Sequence, residues 1–240
     1  RFSTVALQPS GIFQSWSRLG TQWVSVGVGQ FMGDPMGSIE KIQRLSTSMS
    51  NRPKTMNREM NEILNIVRKG RAVTIFEGSL FWAIAKMQMF VDIPTWLGAY
   101  EKGLWQLGYE NAVSDDHRQR IESQAADMAN QTVKDTQSEG QMHDLALIQR
   151  KGPLWKLWTN FISYFNAAYN LNIENYRTTH FNNPTEAASF MINSLLINTM
   201  PVIYSVLLRQ LLKDECENWD AVCLARNFAS EQISQFTNQL

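Results

Sequence analysis

A chain of 240 residues can bury a full hydrophobic core without help from metals or crosslinks, so size alone excludes little. Its 22 Lys/Arg balance 22 Asp/Glu, but unevenly: residues 1–71 hold ten basic and four acidic side chains, and residues 114–145 hold three and seven. The N-terminal third can therefore face phosphate and the middle cannot.

Arg1 stands where an initiator Met would be, and "RFSTVALQPSG" reads as mid-protein sequence without the ordered regions of a signal peptide, so the chain is expected to be a piece of something larger. Pro35, Pro53, Pro153 and Pro184 each precede an amphipathic run, where a missing N–H costs nothing. No alternating strand pattern is flanked by Asn-Gly or Asp-Gly turns. The expected fold is all-α, an irregular multi-helix bundle of about seven or eight helices with long proline-kinked members. A basic helical part covers residues 1–70 and a second helical domain covers 71–240.

The first run, Ser10 to about Phe31, sets Ile12, Trp16, Leu19, Trp23, Val26 and Gln30 at three- and four-residue spacing. "GVGQFMG" at its end lacks the Lys-Ser/Thr pair and preceding strand of a phosphate loop, so its glycines point to close helix packing. A short helix is expected over Ile39–Met49. Another opens near Pro53 and leads into Arg68, Lys69 and Arg71, a solvated face or a contact for DNA phosphates or anionic lipid.

From Val73 an apolar stretch makes two helices divided at Pro94, with Trp82, Phe90, Trp96, Tyr100 and Trp105 filling a core. An interfacial amphipathic helix is the alternative there. Ser114, Asp115 and Asp116 start a helix that runs to about Asp135, with acidic groups at its positive end. After a loop at Gly140, "PLWKLWTNFISYFNAAYNLNIENY" forms one long helix whose buried stripe includes Leu157, Phe161, Ala168 and Leu171.

"AASFMINSLLINTMPVIYSVLL", residues 187–208, then runs without a charge. At about 1.5 Å rise per residue it is long enough to cross a bilayer. Asn193, Asn198 and Pro201 make a lone span costly, so burial within a bundle is favoured. Phe190, Met191, Leu195, Leu196, Ile203 and Leu207 are its candidate membrane or subunit contacts. An amphipathic helix closes the chain. Cys216 and Cys223 on one helix would lie about 10 Å apart, too far for a disulfide, and are expected to be core hydrophobes.

Little here carries chemistry. His117, His143 and His180 are scattered, and no nucleophile elbow, phosphate loop or zinc pattern occurs, so no catalytic residue, cofactor or metal is expected. One polar segment interrupts helices that otherwise read as buried: "ADMANQTVKDTQSEGQMHDLALIQR", with Asp127, Thr132, Asp135, Thr136, Gln137 and Asp144. It is either an organised site or a set of caps and pairs, with Asp144 capping a helix from Leu145.

This segment, with "DIPTWLGAYEKG" before it, "LWKLWTNFISYFNAAYNLNIE" after it and an uncharged stretch ending "LLRQLL", resembles the C-terminal helical domain of giant polyvalent proteins of phages and prophages. These include the internal virion, or ejection, proteins of short-tailed phages. The resemblance covers roughly residues 70–240; the first 70 match weakly. It implies a protein held in the capsid or tail lumen, released through the tail, and helping DNA cross the host envelope. Expected partners are further copies of the chain, other ejection, portal or tail proteins, genomic DNA, and the host inner membrane after ejection. It transfers no catalytic residue; Asp127, Asp135, Thr136, Gln137 and Asp144 are family-pattern positions without an assigned role. The alternative is a helical accessory domain of a giant virion enzyme, an RNA polymerase or a peptidoglycan transglycosylase.

Overall fold

The computed structural model describes residues 8–51, 75–137, 167–213 and 215–239, with the backbone alone for 8, 75–86, 217, 235, 236, 238 and 239. Among them every regular element is helical. After a 3-10 turn, Gln8–Gly11, come α1 (Ile12–Leu19), α2 (Thr21–Gly33), α3 (Pro35–Leu45), α4 (Ile75–Gln106), α5 (Asp115–Gln137), α6 (residues 167–178), α7 (Pro184–Asn198), α8 (Met200–Lys213) and α9 (Ala221–Gln239).

The helix starts follow their capping signals. Asp34 accepts from the Gly37 N–H at 2.9 Å and Asn183 from the Thr185 N–H at 3.1 Å, each with proline next in sequence. Ser114 accepts from the His117 N–H at 3.2 Å ahead of the acidic first turn of α5.

Four expectations are corrected. The run Ser10–Phe31 is two helices, because Gly20 at φ 84° turns the chain and the Trp16 indole N–H bridges the corner to Thr21 Oγ1 at 2.9 Å. Conversely, Pro94 does not divide its run: α4 continues through it for 32 residues. Residues 91–100 are all buried, and that packing outweighs the roughly 3 kcal/mol cost of an internal proline. Trp96 and Tyr100 are buried and stacked, but Phe90 and Trp105 are mostly exposed and lean on Phe31 and Trp23 instead; Trp82 lies outside the described side chains.

The main core joins Leu19, Val24, Phe31 and Ile42 to Trp96, Leu97, Ala125, Ala129 and Val133, so α1–α3 pack with α4 and α5. The expectation of close packing at the glycine-rich end of the first run holds for Gly27. A Cβ there would stand 2.0 Å from the Pro94 carbonyl oxygen, and one on Gly98 2.3 Å from that of Trp23. The backbones of α2 and α4 touch where side chains are absent.

The fourth correction concerns the cysteines. Cys216 and Cys223 form a disulfide, with Cα atoms 5.7 Å apart. They do not share a helix: Asn218 and Trp219, at φ 51° and 57°, fold the chain back between α8 and α9. The Gln210 carboxamide braces this turn by donating to the Cys216 carbonyl and accepting from its N–H, both at 2.7 Å.

Candidate functional site

The polar positions at the end of α5 divide into three groups. Asp127 is exposed. Asp135 accepts from Gln131 at 2.6 Å and pairs with Arg18 of α1 at 3.3 Å, while the same guanidinium holds Glu174 of α6. Thr136 and Gln137 are buried and belong to a polar seam between α1, α4 and α5. Asp144, like Arg68, Lys69 and Arg71, lies outside the described residues.

The seam closes on itself. Gln137 Nε2 donates to the Gly11 carbonyl at 2.9 Å and to Ser15 Oγ at 2.8 Å, using both its protons. Gln137 Oε1 accepts from Gln88 Nε2 at 3.1 Å, whose second proton goes to Asp92 Oδ1 at 3.0 Å. The Thr95 hydroxyl lies 2.7 Å from both the Val91 carbonyl and Ser15 Oγ. A hydroxyl has one proton, so with Thr95 donating to Val91, Ser15 supplies the proton between them. Thr136 donates back to the Thr132 carbonyl at 2.8 Å. A Cβ at Gly11 would come within 2.6 Å of Gln137 Oε1, so a side chain there would push the amide off its bonds.

Such a seam specifies packing, because each buried group has its partner only in one register of the three helices. Gln14, beside it on α1, is the exception: it is fully buried, and neither its Nε2 nor its Oε1 has a partner among the described residues. On the other side of α1, Lys102 reaches the Arg18 and Leu19 carbonyls at 3.4 and 3.3 Å and caps the helix C-terminus. Burial, with the Arg18 charge second, lowers its pKa. Among the described residues no three His, Cys, Asp or Glu cluster as metal ligands would.

The second arrangement is the uncharged run, which forms α7 and α8 with Thr199 between them. Its amides turn inward to α6. Asn172 and Asn198 bond each other twice, Asn193 Nδ2 donates to Asn175 Oδ1 at 3.3 Å, and Asn175 Nδ2 donates to the Phe190 carbonyl at 3.2 Å. Gln232 of α9 donates to the Asn198 carbonyl at 3.1 Å. Ser205 donates to Glu231, which also pairs with Arg209 at 3.0 Å.

Of the candidate contact residues, Met191, Leu195 and Leu207 are exposed, while Phe190, Leu196 and Ile203 are half-buried. Phe190 packs edge-on against Phe181 and Tyr176. Ile192, outside that set, is also exposed.

The partners of these polar groups were not singled out from sequence. Gln88, Asp92 and Thr95 fall at i, i+4 and i+7 in a mainly apolar helix, a spacing that marks one face. Asn172 and Asn175 repeat the signal at i, i+3.

No protein-family model matches the chain, and comparisons with curated proteins and with solved structures find no match either.

Proposed function

We propose that this chain is a non-catalytic helical segment of a phage internal virion (ejection) protein, released through the tail to help form the conduit for genome delivery across the host cell envelope. The quoted motifs of residues 70–240 carry the resemblance. The observation that supports the reading is the build of α7 and α8: amides are paired inward, while Met191, Ile192 and Leu195 on α7 and Leu207, Leu211 and Leu212 on α8 are exposed. Exposed apolar patches of this kind mark surfaces that contact a partner.

The test follows the polypeptide. Labelled virions are imaged and their contents quantified before and after genome release. The reading requires the chain to leave the capsid with the DNA and to be recovered in the host envelope fraction. Its retention in emptied capsids overturns the reading.

A further inference from the structure

Among the described residues, α9 is the one α-helix without a buried side chain. It rests on α8 and α7 through a half-buried stripe, Cys223, Leu224, Asn227, Phe228, Glu231 and Gln232, which recurs in pairs every four residues. Its polar ties are Glu231 with Arg209 and Gln232 with the Asn198 carbonyl. The ion pair is about a third exposed on each side, where such bridges hold little.

The covalent tie is the Cys216–Cys223 disulfide. It spans the turn in which Asn218 and Trp219 take φ 51° and 57°, a left-handed conformation that a bulky side chain such as that of Trp219 adopts only under constraint. The Gln210 carboxamide holds the Cys216 backbone to α8. The chain up to Cys216 is therefore fixed without the bridge, and the chain beyond it is not.

From this arrangement we infer that the disulfide is a redox latch: reduction lets α9 swing away from α8 about Asn218 and Trp219, and reoxidation draws it back. The inference stands apart from the proposed function.

The chemistry follows accessibility. Residues 218–222 are all exposed and Cys223 is half-buried, whereas Cys216 is 1% exposed, so an incoming thiolate attacks the Cys223 sulfur. The S–S bond breaks and its electron pair leaves on Cys216 Sγ. The Asn227 Nδ2–H group, with its nitrogen 3.4 Å away, donates to that sulfur as it becomes anionic. The second thiol of a dithiol reductant then displaces Cys223 from the mixed disulfide. The reductant closes to its own disulfide, the protein bridge gains two electrons, and the reductant's two protons end on Cys216 and Cys223.

Val202, Ser205, Val206 and Arg209 fall at i, i+3, i+4 and i+7 on α8, and Ser205 and Arg209 both meet Glu231, which makes this the side beneath α9. Release of α9 takes that cover from Ser205 and from Val202 and Val206 beside it, all buried in the bridged form. A bridge so placed responds to passage between oxidising and reducing surroundings.

The test uses the 240-residue chain with spin labels carried on unnatural amino acids in place of Leu207 and Ala229, exposed positions of α8 and α9. Inter-label distances in the oxidised chain should form one narrow distribution. Millimolar dithiothreitol, without denaturant, should lengthen it and at least double its width, and reoxidation should restore it. The double variant Cys216→Ser, Cys223→Ser should be broad under both conditions; should that variant not fold, the parent's oxidised and reduced forms carry the comparison alone. A label pair in place of Met32 and Val113, exposed positions at the end of α2 and ahead of α5, should not change.

A 207–229 distribution that is unaltered by reduction overturns the latch. So does a bridge that dithiothreitol opens only in denaturant. Broadening of the 32–113 pair together with the 207–229 pair overturns it as well, since the disulfide would then be a staple of the whole fold.

Discussion

The carboxamides of Asn172 and Asn198 each donate to the other, at 3.0 and 2.9 Å, and tie α6 to the end of α7. Removing one partner leaves the other amide without its mate inside a helix contact. Asn198→Leu should therefore cost about 1–3 kcal/mol in urea unfolding, and the double replacement Asn172→Leu, Asn198→Leu should recover most of the loss. Additive losses in the double variant would show that the two amides are not coupled.

Gln14 presents the reverse case, a fully buried carboxamide without a partner among the described residues. Gln14→Met keeps the volume and removes the polar atoms. It should stabilise the fold by about 1 kcal/mol, read as a higher denaturation midpoint. A drop in the midpoint would show that the amide is satisfied.

The glycines of α2 and α4 should separate cleanly by position. Gly98→Ala or Gly27→Ala drives a methyl group into a facing backbone and should cost at least about 1–3 kcal/mol, because neither helix can move alone. Gly29 has nothing within 4 Å of its ideal Cβ, so Gly29→Ala should stabilise by about 0.5–1 kcal/mol. Equal effects at Gly29 and Gly98 would contradict the close crossing.

Reducing the Cys216–Cys223 disulfide frees a short loop and should lower stability by about 2–3 kcal/mol. Amides of α9 should then exchange faster in hydrogen-exchange experiments, with those of α4 unchanged. Uniform acceleration across both helices would refute a local role for the bridge.

Glu186 accepts from the His180 N–H at 2.8 Å and lies 3.0 Å from its ring, and these bonds, the backbone one first, lower its pKa. A carboxylate depressed in the folded state gives stability that is present above its unfolded pKa. That stability is lost as pH falls through the lower folded value, below about 4.3. Glu186→Gln should therefore flatten the acid limb of the unfolding profile and leave the neutral region nearly unchanged. An unaltered acid limb would remove Glu186 from that role.

The all-helical class was legible because proline positions and apolar spacing agree along the chain, and Ser114 caps where its residue type predicts; the helix expected from Ile39 instead begins at Pro35, because Asp34 caps it. What was not legible is tertiary. Pro94 stays inside a helix because its neighbours are buried on both sides, which no local rule weighs. The disulfide was missed because a helix was assumed through Asn218 and Trp219, two residues that seldom take positive φ together. Thr136 and Gln137 were singled out as polar positions. Their role as a seam needed Ser15 and Gln88, which are 121 and 49 residues away along the chain from Thr136 and Gln137 respectively.

The short helix α1 touches α5, α6 and α8: Ser15 and Arg18 reach α5, Arg18 also reaches α6, and Phe13 lies against Tyr204 of α8. Its consequence is mechanical. Tension applied to the chain ahead of Ile12 loads these eight residues before any other helix, and their release uncouples contacts with helices on both sides at once.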